Sequence, residues 1–448
     1  MEQKLIDAYV SILKEELVPA MGCTEPIAIA YAAAVARDTL GALPERIFLA
    51  VSGNIIKNVK SVIVPHTGGL KGIAASCAAG IIAGDAGREL EVIAEVSAEQ
   101  IAQISSYMET ASITVTQSTS DYIFDIEVHV YAGEHNAVCR IAGFHTNIVH
   151  IEKDGAVLQH TDYSEEADDT PSACKHTDTD NPAANTCADT PSASHTDRSL
   201  LTVENIVRFA DEVDLALVHD TIALQIQYNT AIAEEGLAHG YGAQIGRILL
   251  RSYGNTVQNR AKAMAAAGSD ARMNGCELPV IINSGSGNQG MTASLPVIVY
   301  AGELGVSDEL LYRALIISNL VTIHLKTGIG RLSAYCGATS AGCGAGAGIA
   351  YLYGGRYREI AHTIVNAVAI NSGVICDGAK ASCAAKIASA VEAGLLGMQM
   401  FFHGSQFRDG DGIVSKDVEN TIHNVGSLAH EGMRETDKEI IQLMIQKI

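Results

Sequence analysis

Three cysteines, Cys336, Cys376 and Cys383, sit in tracts that carry little other chemistry, SAYCGATSAGCGAGAG and GVICDGAKASCAAK. Small neighbours let the backbone come close to a bulky inorganic body. Three such thiolates could hold an iron–sulfur cluster and leave one iron open to substrate. A fourth cysteine, Cys23, stands apart in MGCTEP.

On an unbroken helix the step from Cys376 to Cys383 spans about 10 Å, far for two ligands of one small cluster. Asp377-Gly378 is a turn signal, so a helix is expected only from about Ala379, and a loop cysteine can converge with one on the first helical turns. That helix N-terminus would favour the negative charge of a thiolate-ligated cluster. Cys336 precedes Gly337 and lies one helix upstream. The spacing is not a strong metal signature, and the plain alternative is three buried structural thiols. Cys343 in GCGAGAG and Cys276 in NGCELPVIINSGSGNQG are rival ligands, although the Cys343 tract reads as close helix packing. Cys77 and Cys139, in apolar surroundings, read as core.

The loop from Asn283 to Gly290 offers backbone N–H groups, hydroxyls and amides before a helix, an anion nest suited to a substrate carboxylate. Ser284, Ser286 and Asn288 are its candidate contacts. Ser52 and Asn54 in SGN, with His66 and Thr67 in HTGG, are polar punctuation of the same kind, with an ordinary turn as the alternative. Lys326, Lys380 and Lys386 are the candidates for an imine with pyridoxal phosphate, but no phosphate cup accompanies them.

These residues need elements to position them. The chain has 448 residues, 48% apolar and 5% aromatic with no Trp, so its core is expected to be closely packed helices of small residues. A net charge of −21 argues against nucleic acid and anionic membranes and for a small-molecule substrate. No long uninterrupted apolar run suggests a membrane span. The opening MEQKLIDAYVSILKEELVPA reads as an acidic amphipathic helix rather than a signal peptide. Ten cysteines without such a signal point to a reducing cytoplasm.

The expected fold class is α+β. Residues 1–43 read as two helices flanking GCTEP, the second ending at Gly41. Residues 44–159 read as a mixed domain with strands at RIFLAVSGN, SVIVPHT, ELEVIAEV, ITVTQS and FDIEVHVYAG, and a strand pair around Asp154-Gly155. Residues 160–199 repeat HTD and DTPSA, are strongly acidic, and read as a disordered insertion whose Cys174 and Cys187 are discounted. Residues 200–448 read as a helical catalytic domain that binds the cluster, with Thr202 as an N-cap.

The sequence resembles the iron–sulfur L-cysteine desulfidases, relatives of the α-subunit family of bacterial L-serine dehydratases. MGCTEPIAIA, SGNIIKNVKSVIVPHTGG, NSGSGNQG, SAYCGATSAGCGAG and VICDGAKASCAAK carry the resemblance, which covers most of the chain outside the acidic insertion. It implies that Cys336, Cys376 and Cys383 hold a [4Fe–4S] cluster and that Cys23 is the proton acceptor. It implies conversion of L-cysteine and water to pyruvate, ammonia and hydrogen sulfide, by α,β-elimination and hydrolysis of the released enamine or imine. The free iron would act as a Lewis acid on the leaving β-substituent. A Cys23 thiolate would need a depressed pKa, which the helix N-terminus after Pro26 is expected to supply. L-serine dehydration is the nearest alternative, and a non-catalytic iron–sulfur or redox-sensing protein is one of another class. A homo-oligomer is left open.

Overall fold

The computed structural model describes residues 1–163, 196–330 and 332–445. Most of the acidic insertion, with Cys174 and Cys187, lies outside the described residues. The fold is α+β, with a largely helical C-terminal region.

Eight strands are present among the described residues: β1 (Pro19–Met21), β2 (Arg46–Val51), β3 (Ser112–Gln117), β4 (Asp125–Ala132), β5 (His135–Ala142), β6 (Ile148–Lys153), β7 (Ala156–His160) and β8 (Pro279–Ile281). Strands β2 to β7 form one sheet in the order β3-β2-β4-β5-β6-β7, antiparallel except for the β2–β3 pair. Alternation along β2 and β4 turns Ile47, Leu49, Val51, Ile126, Val128 and Val130 inward. Those of β4, with β5 beside them, meet the helix Thr24–Leu40, which is buried almost all round because the helix Gly72–Ala83 covers its far side. Gly41 ends that first helix with a φ of 79°. Asp154 and Gly155, both at positive φ, turn β6 into β7.

Two expected strands are not strands. Leu90, Val92 and Ile93 of ELEVIAEV are buried, but in a 3-10 turn and the turns after it, packed against the helix Thr24–Leu40. Their apolar alternation serves burial of a turn rather than a ladder. SVIVPHT contributes only an isolated bridge between Ile63 and Lys71.

In the C-terminal region the helix Gly337–Leu352 is central, packed between Asp308–Ile329, Cys383–Phe402, Tyr357–Asn371 and Gly287–Leu304. Glycines make this crossing close: a Cβ on Gly342 would lie 2.2 Å from the Ala390 carbonyl oxygen, and one on Gly394 would lie 2.1 Å from that of Gly342. Thr202 caps its helix by accepting from Asn205 N at 3.2 Å.

Candidate active site

Two short pairings assemble the site. β1 runs antiparallel to β8, with Pro19 opposite Ile281 and Met21 opposite Pro279. This sets the Gly22-Cys23 turn beside the loop that begins at Asn283. Thr24 Oγ1 then donates to the Gly285 carbonyl at 2.9 Å, and Arg272 Nε donates to the Gly22 carbonyl at 2.7 Å. Cys23 is the N-cap residue of the helix Thr24–Leu40.

The second pairing joins Tyr335 to Ile375. Cys336 N donates to Val374 O at 3.0 Å and Cys376 N to Ala334 O at 2.6 Å, so two cysteines distant in sequence share one bridge. The chain then turns at Gly378, whose φ is 92° and whose Cβ would lie 2.1 Å from the Lys57 carbonyl oxygen. Only glycine fits there. The helix begins at Cys383, not at Ala379 as expected, because residues 379–382 remain in the turn. Cys383 therefore sits on the first helical position, and its thiol points back to the Gly378 carbonyl at 3.7 Å.

Cys23, Cys336, Cys376 and Cys383 line one cavity. Neither Cys343 nor Cys276 does; Cys343 lies within the close helix crossing, and its buried thiol is pushed up to about 12. Burial, reinforced by the charges of Cys376 and Cys383, pushes Cys336 up to about 12, and burial with the Cys376 charge raises Cys383. Buried thiols crowded in this way cannot readily ionise together without added positive charge. A thiolate-ligated metal supplies that positive charge.

Among the described residues no three His, Cys, Asp or Glu side chains converge on a single ion. Cluster ligands bind separate irons and need no common point, and three soft thiols around one cavity are the donor set of an iron–sulfur cluster. The residues fit that group.

Cys23 departs from expectation. Its thiol is raised well above the ordinary value: burial is the largest cause, the Glu25 charge adds to it, and Arg272 opposes it without prevailing. The Glu25 backbone N–H at the helix N-terminus lowers it, but burial of the thiol and the Glu25 carboxylate outweigh that. Cys23 Sγ donates to Glu25 Oε2 at 3.1 Å, and the same carboxylate accepts from Thr24 Oγ1 at 3.1 Å and from Asn58 Nδ2 at 3.1 Å.

Residues 87–442 match the family described as the serine dehydratase alpha chain. The chain is 57% identical over 446 residues to the UPF0597 protein DSY1109 of Desulfitobacterium hafniense, covering 100% of this chain and 98% of the relative. It is 49% identical to a UPF0597 protein of Lachnoclostridium phytofermentans (99% and 100% covered) and 43% identical to one of Treponema denticola (98% of each). The chain belongs to the serine dehydratase alpha-chain family. This is a family of serine dehydratase-like lyases.

Of the polar residues expected to bind substrate, this family member brings Ser286 and Asn288 to the cysteine cavity. The others make local bonds. Ser52 Oγ donates to Ile123 O at 2.7 Å, Thr67 Oγ1 to Val64 O at 2.7 Å, and Ser284 Oγ to Asn283 Oδ1 at 2.9 Å. His66 lies 3.3 Å from Glu277. Asn54 Nδ2 donates to Asp437 at 2.9 Å, and with Ser52 it lines a neighbouring groove along the helix Arg434–Ile445.

Sequence reasoning passed over Glu25, Lys57, Asn58, Arg272 and Gln289, all in the cavity wall. Glu25, Lys57, Asn58 and Gln289 stand inside quoted motifs; Arg272, in an alanine-rich helix that also carries Arg260 and Lys262, offered no signal of its own. The lysines considered for imine chemistry are engaged. Lys380 and Lys386 both pair with Asp377. Burial would raise the Asp377 carboxyl, but those two hydrogen bonds prevail and hold it at about 2. Burial would lower Lys386, yet Asp377 and the neighbouring thiols raise it, the opposite of a nucleophilic amine. No helix among the described residues is long and apolar enough to cross a membrane.

Proposed function

We propose that this chain is a carbon–sulfur lyase that converts L-cysteine and water to pyruvate, ammonia and hydrogen sulfide. Cys336, Cys376 and Cys383 hold a [4Fe–4S] cluster, and Cys23 with Glu25 handles the α-proton. In this reading residues 200–448 carry the cluster and residues 1–43 bring the base to it. The observation that carries the proposal is the presence of Cys23 and the three clustered cysteines, from separate segments, on one cavity.

A bound cluster supplies a Lewis-acidic iron that stabilises negative charge on the leaving sulfur. The chain's own residues do the rest. The raised Cys23 thiol keeps its proton at rest. It becomes a base only when that proton moves along the existing hydrogen bond to Glu25 Oε2. Asn58 and Thr24 hold the carboxylate in place to receive it. Sγ then takes the proton from Cα, the Cβ–S bond breaks and hydrosulfide departs, leaving an enamine that gains a proton at Cβ to become the imine, which water hydrolyses to pyruvate and ammonia. Burial of Cys23 keeps bulk water from the thiolate.

The family description is equally compatible with a second reading, in which L-serine enters and hydroxide is the leaving group. The same residues serve both. Anaerobic purification with iron and sulfide counts, followed by parallel pyruvate assays on L-cysteine and L-serine, separates them. A filled cluster without pyruvate from either amino acid would favour a non-catalytic role and reject the lyase.

A further inference from the structure

Arg272 lies in the helix Val257–Met273 with 2% of its surface exposed. Its Nε is bound to the Gly22 carbonyl. Among the described residues its two Nη groups meet no carboxylate and no hydrogen-bond acceptor, and the side chain belongs to the wall of the cysteine cavity. An uncompensated buried charge costs several kcal/mol. The place is nevertheless built for it: a Cβ on residue 287 would lie 2.4 Å from Arg272 Nε, and that residue is Gly287.

The other charged side chains of the wall have partners, Lys326 donating to the Gly330 carbonyl. Lys57 pairs with Asp437 and Lys386 with Asp377. Glu25 is committed to Cys23, Thr24 and Asn58. The Tyr335 hydroxyl and two amide oxygens remain. Asn288 Oδ1 and Gln289 Oε1 are enclosed in the same wall without a donor, and such groups cost about 1–3 kcal/mol each. The cavity thus presents an unmatched cation and two unmatched acceptors.

We propose that Arg272 binds the α-carboxylate of the substrate and that the side-chain oxygens of Asn288 and Gln289 bind its ammonium. This rests on the amino-acid lyase reading and extends it to substrate recognition. A guanidinium grips a carboxylate through parallel N–H donors, and amide oxygens accept from an ammonium. The site therefore selects the free zwitterion and rejects N-acylated or peptide-bound cysteine. The carboxylate moves away from the Ser284 hydroxyl, which is turned to Asn283.

Three thiols test this in the cluster-loaded enzyme: L-cysteine, cysteamine without the carboxylate, and 3-mercaptopropionate without the ammonium. KM for L-cysteine comes from pyruvate formation, and the other two are measured as competitive inhibitors. Arg272→Met is expected to weaken L-cysteine and 3-mercaptopropionate by roughly 10- to 100-fold, the worth of a hydrogen bond to a charged group, and to leave cysteamine unchanged. Gln289→Met should weaken L-cysteine and cysteamine and spare 3-mercaptopropionate. Equal weakening of all three ligands by Arg272→Met, or no weakening, overturns the proposal. Should that variant fail to fold, Arg272→Lys decides by the same selectivity.

A wild-type protein that makes no pyruvate from L-cysteine or L-serine breaks the lyase reading and leaves the site itself testable. Thermal melts with L-alanine, propionate and ethylamine then decide. L-alanine should stabilise the wild type more than either fragment, and Arg272→Met should abolish the difference. No stabilisation of the wild type by L-alanine overturns the assignment.

Discussion

Cys23 Sγ donates a hydrogen bond to Glu25 Oε2 at 3.1 Å, in a corner where the two residues are 2% and 8% exposed. Burial and the carboxylate charge both hold the proton on sulfur. A thiol so placed is a poor base until its neighbour accepts the proton, so in the proposed lyase the working unit is the pair.

Glu25→Gln keeps the shape of that corner and removes the acceptor. Turnover is expected to fall by about 10²- to 10⁴-fold, the usual worth of a positioned acid–base group. Iron content and KM should stay near wild type. Pyruvate kinetics with a parallel iron count check this, and a variant within a few-fold of wild-type turnover would show that Glu25 is not the acceptor.

Gly378→Ala tests how the loop proposed to hold the cluster is positioned. The residue sits at a φ of 92° with the Lys57 carbonyl against its missing side chain. Strain of about 1–3 kcal/mol, plus the steric clash, should displace the loop between Cys376 and Cys383. The expected result is lower iron occupancy together with a lower Tm. Gly373→Ala is the control, since a Cβ there meets nothing within 4 Å.

Alkaline stability follows from thiols far from the cavity. Burial pushes Cys77 and Cys139 up to about 12 each. The unfolded chain ionises its thiols near their ordinary value of about 8.5, whereas the folded chain does not. The folded state therefore binds more protons in that window, and stability falls as pH rises from about 8.5 towards 12, while the full contribution remains below. Thermal melts from about pH 8 to 11 should show the decline, and a Cys77→Ala/Cys139→Ala variant should flatten it. A slope unchanged by the double substitution would sink the attribution.

The cysteine motifs were legible because thiols in Gly/Ala tracts have few other uses, and the tight Gly342–Gly394 crossing accounts for the Cys343 tract beside them. The α+β class followed from alternation in β2, β3 and β4. The assembly of the site was not legible. It depends on β1 and β8, three residues each, and on a single bridge at Tyr335, all too short to leave a periodic trace. SGN and HTGG lie outside the cysteine cavity for a related reason: Ser52 and Thr67 use their hydroxyls on carbonyls of the fold, and a sequence does not show which polar groups are so engaged. The helix dipole argument for Cys23 failed because enclosure and Glu25 outweigh it.

The central claim divides the cysteines of one cavity between two jobs, and a single series measures it. Wild type and the Ala variants of Cys23, Cys336, Cys376 and Cys383 are purified anaerobically, and iron, acid-labile sulfide and pyruvate formation are determined on each. The account predicts equal iron and sulfide in wild type, loss of both metal and pyruvate in the last three variants, and an intact cluster without turnover in Cys23→Ala. Full iron in any of those three, or loss of iron from Cys23→Ala, would contradict it.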